Sequence, residues 1–99
     1  MPGKYKITFA VSAVEDLEEI RAWYADQQVA EVGERLIGEV LSQVERLADV
    51  PESGRMVPEF AVVHLREIIH PPFRIVYRLD KVRVRIVRVW RSERLLKMP

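Results

Sequence analysis

The sequence predicts an α+β domain in which two helices pack on one face of a small, mainly antiparallel sheet. Three observations carry that reading. Apolar residues alternate with polar ones at the start of the chain and through its last third, which is the period of half-buried strands. Between them, apolar residues recur at helical spacing in two runs. The connections between the last three strand-like runs, "HPP" and "DK", are too short for anything but antiparallel neighbours. The order is βααβββ, and at 99 residues it makes one domain, 1–99, with a single modest core.

Each element has its own signal. "KYKITFA" (4–10) alternates Tyr5, Ile7 and Phe9 with polar partners and reads as the first strand. Ser12 and Glu15 follow at capping-box spacing, which predicts that the Ser12 hydroxyl opens the first helix. Ala13, Leu17, Ile20 and Tyr24, with Trp23 alongside, form its apolar stripe, and Glu15, Asp16, Glu18 and Glu19 its outer face near the positive end of the dipole. "DQQVAEVG" is a short connection. A second helix runs to about Val50 on Ile37, Val40, Leu41, Val44, Leu47 and Ala48, and Pro51 stops it. "PESGRMVPEF" (51–60) is a loop by its two prolines and glycine. "AVVHLREII", "FRIVYRL" and "VRVRIVRVW" are the remaining strands.

Composition excludes several classes. There is no cysteine, so neither a disulfide framework nor a zinc–thiolate site is available. The N-terminus lacks the pattern of a signal peptide, and no apolar stretch reaches membrane-spanning length, so a cytoplasmic protein without a membrane partner is expected. His64 and His70 are the only histidines, too few for a metal site, and His70 beside Pro71 reads as a turn residue. No glycine-rich phosphate loop or serine–histidine–acid spacing is present, and no cofactor is implied. The net charge of +1 hides an asymmetry: residues 1–65 hold 6 Lys/Arg against 12 Asp/Glu, while residues 66–99 hold 10 against 3. A basic last third can present a positive surface to a polyanion, or can neutralise the acidic part across the fold.

Geometry on the last hairpin decides between these. "FRIVYRLDKVRVRIVRVWR" (73–91) carries six arginines. If Asp80 and Lys81 form a two-residue loop, Leu79 faces Val82, Tyr77 faces Val84 and Ile75 faces Ile86. Phe73, Ile75, Tyr77, Leu79, Val82, Val84 and Ile86 then share the core face, with Arg88 at its far end. Arg74, Arg78, Arg83 and Arg85 share the other face with Val76 and Val87. Four guanidiniums without an interleaved carboxylate repel one another unless an anion joins them, so this face reads as a binding surface. Arg66 either extends it or pairs with Glu67; Trp90 is either an edge core aromatic, the favoured reading, or a platform for a base.

"AVEDLEEI", "LADVPESGRMVPE", "LREI", "FRIVYR" and "VRVWRSERLL" occur in an order and spacing that resembles the RelE/ParE superfamily of toxins from bacterial type II toxin–antitoxin modules, often labelled plasmid stabilisation proteins. The resemblance covers essentially the whole chain. It implies a compact βααβββ fold, a growth-arresting toxin, and a cognate antitoxin that wraps it in a hetero-oligomer. One branch of the superfamily cleaves mRNA on the ribosome without a metal (an mRNA interferase, or endoribonuclease); the ParE-like branch poisons DNA gyrase. For RNA cleavage the resemblance assigns Glu59 of "VPEF" as the base, Arg74 of "FRIVY" as the phosphate support and Arg91 at the end of the last strand; the arginine face read from the hairpin, Arg78, Arg83 and Arg85 with Arg66, is then the RNA-binding set. Arg91 stands where a histidine or lysine is common, and a guanidinium holds a phosphate but is a poor proton donor. Three functions follow: ribosome-dependent mRNA cleavage, which the residues narrowly favour; gyrase inhibition; or an inactive relative that only binds its antitoxin.

Overall fold

The computed structural model describes residues 4–58 and 64–91. Along the chain run β1 (Lys6–Phe9), α1 (Val11–Asp26), α2 (Ala30–Arg46), β2 (Arg55–Met56), β3 (Leu65–His70), β4 (Phe73–Leu79) and β5 (Arg83–Arg91). The sheet order is β1-β5-β4-β3-β2; β1 runs parallel to β5, and every other pair is antiparallel. The expected α+β architecture is therefore present, with the two-residue β2 added at the edge inside the predicted loop. Part of the predicted strand "AVVHLREII", residues 61–63, lies outside the described residues.

Burial on one side of the sheet closes the core. Phe73, Ile75, Tyr77, Val84, Ile86 and Val89 from β4 and β5 meet Ala13 and Tyr24 of α1 and Leu36, Val40 and Val44 of α2. Leu17 and Ile20 pack against this cluster as part-buried side chains, whereas Trp23 is 50% exposed. The predicted stripe thus holds at Ala13 and Tyr24, and Trp23 falls outside it.

Two helix-end expectations change: α2 ends at Arg46, short of Val50, and α1 opens without the Ser12 cap. The N-cap of α1 is Ala10, without a side-chain cap, so the helix starts before the capping box. Ser12 Oγ instead donates to the Val87 carbonyl at 2.6 Å, a tertiary tie to β5. At the other end no glycine marks the stop, yet Gln28 takes the left-handed conformation at φ 64°. The Val29 N–H then reaches the Tyr24 carbonyl at 2.9 Å, and the Gln28 N–H reaches Ala25 at 2.9 Å, the paired bonds of a Schellman cap.

The β4–β5 hairpin also departs from the expected pairing. Leu79 pairs with Val84 and Arg78 with Arg85, so the loop is longer by two residues than a Asp80–Lys81 turn. Asp80 sets it: its Oδ1 accepts the N–H groups of Val82 at 3.0 Å and Arg83 at 2.7 Å. Val82, expected in the core, is at the tip and 68% exposed. An even offset leaves side-chain parity intact, which is why the remaining face assignments survive up to Ile86. Beyond it the ladder shifts at Val76/Tyr77: Tyr77 pairs with Ile86 but Val76 with Arg88, so Val87 is the extra residue of a bulge. From there Val89 and Arg91 share the helix side with Ile75 and Phe73, and Trp90 shares the outer side with Arg74.

Helix packing makes a paired test possible at two glycines of α2. A Cβ on Gly33 would lie 2.8 Å from the Tyr24 Cβ, because the helices touch there, whereas one on Gly38 would meet nothing within 4 Å. We expect Gly33→Ala to destabilise by about 1–3 kcal/mol through overpacking. Gly38→Ala should stabilise by roughly 0.5–1 kcal/mol by removing backbone freedom from the unfolded chain. Urea unfolding of the two variants reads both signs.

Candidate functional site

The arginines of the last third divide into a paired set and an unpaired set, and the division defines the candidate site. Arg88 belongs to the first. Its Nε and Nη2 donate to the Asp16 carboxylate at 2.8 and 2.9 Å, and the Val89 backbone N–H donates to Asp16 Oδ2 at 2.9 Å. Asp16, expected on the outer face of α1, is only 7% exposed. The fork-shaped pair with this carboxylate raises the Arg88 pKa further above its ordinary value, against a smaller opposing effect of burial. The Arg88 guanidinium also lies 4.4 Å over the Trp90 ring. Trp90 is part-buried on the outer side rather than a core aromatic.

Arg74 is paired as well. Its Nε donates to Glu67 Oε1 at 2.7 Å, while Arg55 Nε donates to Glu67 Oε2 at 2.7 Å from the neighbouring strand. Glu67 is 1% exposed and Arg74 5%. Glu67 faces Val76 across the ladder and so lies diagonal to Arg74 on the outer side of the sheet. The local reading that joined Glu67 to Arg66 fails on strand parity, since consecutive residues point to opposite faces.

Arg66 is accordingly on the helix side, opposite Tyr77. Its Nη1 donates to the carbonyls of Gly54 at 2.8 Å and Glu52 at 3.4 Å. The Tyr77 hydroxyl donates to the Pro51 carbonyl at 2.7 Å and accepts the Gly54 N–H at 3.0 Å. Burial drives the Tyr77 pKa above its ordinary value. A Cβ on Gly54 would stand 2.5 Å from the Tyr77 hydroxyl, so only glycine permits this approach. Arg66 therefore anchors the loop after α2 and does not extend the basic face. Glu59 lies outside the described residues.

Arg91 is also on the helix side. Its Nη1 donates to the Tyr24 hydroxyl at 3.1 Å, and its guanidinium lies 5.4 Å from the Trp23 ring centroid. The sheet thus separates Arg74 from Arg91. His70 closes β3 as a strand residue, with Nε2 3.0 Å from Glu39 Oε1 of α2. That contact, ahead of the smaller effect of Arg35, holds the Glu39 carboxyl below its ordinary range.

Arg78, Arg83 and Arg85 form the unpaired set. All three are exposed on the outer face, and none has a carboxylate in ion-pairing distance among the described residues. Arg78 sits directly opposite Arg85. The parallel pairing of β1 adds a cation that hairpin reasoning does not reach: Lys6 is opposite Arg83, exposed and likewise unpaired. A cross-strand signal for Lys6 exists only once the partner of the first strand is known. Among the described residues no group of three or more His, Cys, Asp or Glu could hold a metal ion. No described helix is long and apolar enough to cross a membrane.

A two-helix layer on a five-stranded mixed sheet, fastened by buried ion pairs and carrying a basic outer face, is an α+β domain with the fold of the toxin–antitoxin chains described below. The profile of the ParE toxin of type II toxin–antitoxin systems, parDE, matches residues 7–96, and the chain belongs to that family: it is a toxin of a type II toxin–antitoxin module. Solved structures share the fold. A chain of the chromosomal ParDE toxin–antitoxin system from P. aeruginosa superposes with a TM-score of 0.75 at 22% identity, covering 89% of this chain and 96% of that one. A chain of the toxin–antitoxin complex RelBE2 from Mycobacterium tuberculosis gives 0.68 at 19% identity, covering 90% and 99%. No curated protein gives a significant match.

The paired and unpaired sets should behave oppositely. Asp16→Ala leaves the buried Val89 N–H without its acceptor and Arg88 without its carboxylate; we expect a loss of about 2–4 kcal/mol in urea unfolding. Arg85→Thr relieves the like-charge pair with Arg78, so its melting temperature should rise at low ionic strength. The gain should vanish in molar salt, where screening removes the repulsion.

Proposed function

We propose that this toxin acts by binding DNA gyrase, as the ParE-like branch of the superfamily does, and not by cutting mRNA. The observation that carries the reading is the separation of the expected RNA-cleaving set. Arg74 is buried against Glu67 on the outer side of the sheet, and Arg91 is held by Tyr24 on the helix side. Transition-state stabilisation requires groups aimed at one phosphate, and a buried guanidinium on one face cannot share a phosphate with one on the other. The ParE profile match supports the same branch. Arg74 on this reading holds β3 to β4, and the phosphate-support role assigned by resemblance gives way to a structural one. The structural relatives are toxin–antitoxin systems, which supports a cognate antitoxin as the partner that inactivates this chain in a hetero-oligomer.

Two assays on purified toxin test the proposal: gyrase-dependent cleavage of supercoiled plasmid, and mRNA cleavage on programmed ribosomes. We expect gyrase–DNA cleavage complexes to accumulate and the mRNA to remain intact, both for the wild type and for Arg91→His. Cleavage of ribosome-bound mRNA, lost in Glu59→Gln, would establish the nuclease reading instead. Arg74→Ala should leave Glu67 with fewer compensating charges and lower the melting temperature, because an uncompensated buried carboxylate is costly. An Arg74→Ala protein that melts like the wild type yet has lost activity would return Arg74 to a direct role.

A further inference from the structure

We infer that the outer face of the sheet around Lys6, Arg78, Arg83 and Arg85 is a docking surface for the phosphate backbone of duplex DNA. The four cations come from three adjacent strands, and the pairings Lys6–Arg83 and Arg78–Arg85 place them side by side. All four are exposed and lack a carboxylate partner among the described residues. Neighbouring strands are separated by about 4.8 Å, and alternate residues along a strand by about 6.6 Å, so the charges form a dense, flat array on a rigid support. Like charges placed this closely cost stability in the free protein, and polyanion binding offsets that cost.

The rest of the molecule orients the array. Glu15, Glu18, Glu19, Asp26, Glu31 and Glu34 are exposed on the helix layer, behind the sheet. The charge asymmetry of the sequence is thus an asymmetry in space, with one face attracted to a polyanion and the other repelled. Two observations favour a duplex over other polyanions. Single-stranded nucleic acid is held by exposed aromatic platforms, and there is none among these four residues. The aromatic of this face, Trp90, is across from Arg74 at the far end of the hairpin, with the Arg88 guanidinium 4.4 Å over its ring. An acidic peptide binds most tightly where aromatic anchors sit beside its charges. The apolar side chains beside this array are aliphatic, Leu65 opposite Arg78 and the exposed Val82 next to Arg83, and the exposed Ile69 lies beyond the Arg74–Glu67 pair.

The inference does not depend on gyrase as the target, because it concerns the toxin and DNA alone; with that target, it supplies a contact to the DNA that the enzyme holds. The test is fluorescence anisotropy of the full-length toxin with a labelled mixed-sequence duplex roughly two helical turns long, across a salt series. Four phosphate contacts predict a log–log salt slope of about −3.6. Arg83→Glu/Arg85→Glu should bind at least tenfold more weakly, and Arg83→Gln/Arg85→Gln should reduce the slope by about 2 while keeping the wild-type circular dichroism. Arg46→Glu, an exposed reversal on α2, should leave affinity and slope unchanged apart from its small effect on net charge. Absence of duplex binding at low salt, an unaltered slope in the glutamine double variant, or tighter binding of single-stranded RNA or of an acidic peptide than of the duplex would overturn the inference. Gyrase poisoning without DNA binding would reject this surface and spare the proposed function; DNA binding without gyrase poisoning would do the reverse.

Discussion

The Asp16 carboxylate is the point on which the arrangement of this small domain turns. A bulge at Val87 breaks the regular alternation of β5 where the strand has run past its pairing with β1, which ends at Ile86, so N–H groups on that edge face no described strand. Asp16 accepts one of them, from Val89, and neutralises the Arg88 guanidinium beside it, while Ser12 takes the Val87 carbonyl. Three side chains, Ser12, Asp16 and Arg88, thereby lock the first helix to the last strand across 72 to 75 positions of sequence. Because the bulge changes which residues of β5 face the helices, the same clamp puts Val89 into the core and Arg91 against Tyr24.

The described arginines of the second half of the chain then have two physical explanations and not one. Arg55, Arg74 and Arg88 are matched to the carboxylates Glu67 and Asp16, and Arg66 to backbone carbonyls; these guanidiniums are structural fasteners between strands, helix and loop. Forked donors suit that work, since each can hold a carboxylate or carbonyl in a fixed orientation. Arg78, Arg83 and Arg85, with Lys6, have no such counter-groups among the described residues and keep their charge at the surface. Burying the first set beside acids and leaving the second unmatched concentrates the net positive charge of the domain on one part of one face.

Fold membership and target are separate questions for this architecture. The same helix layer and sheet occur in chains of a ParDE system and of a RelBE2 complex, so backbone likeness alone leaves the target open. The gyrase reading proposed above rests on where individual side chains end up. In this chain the bulge and the Glu67 pair take Arg91 and Arg74 to opposite sides of the sheet, and that placement weighs more than the presence of both residues in a motif.

Alternation and helical periodicity are local properties, and they determined the order of the elements, the face of β4 that meets the core and the helix residues Ala13, Tyr24, Val40 and Val44 that cover it. Asp80 and Lys81 marked a turn, and the two-residue error in its length was harmless because strand faces repeat every second residue. The basic face was legible at Arg78, Arg83 and Arg85 for the same reason. What local pattern could not carry were the contacts between residues far apart in the chain. Asp16 looks like one more acid on a polar helix face until Arg88 is brought to it, and Glu67 looks like a partner of Arg66 until Arg74 and Arg55 arrive from adjoining strands. Lys6 joins the arginines only through the parallel pairing of the first strand with the last. These depend on strand order and, for Asp16 and Arg88, on one bulge, which are settled by packing and by the satisfaction of buried polar groups across the whole fold.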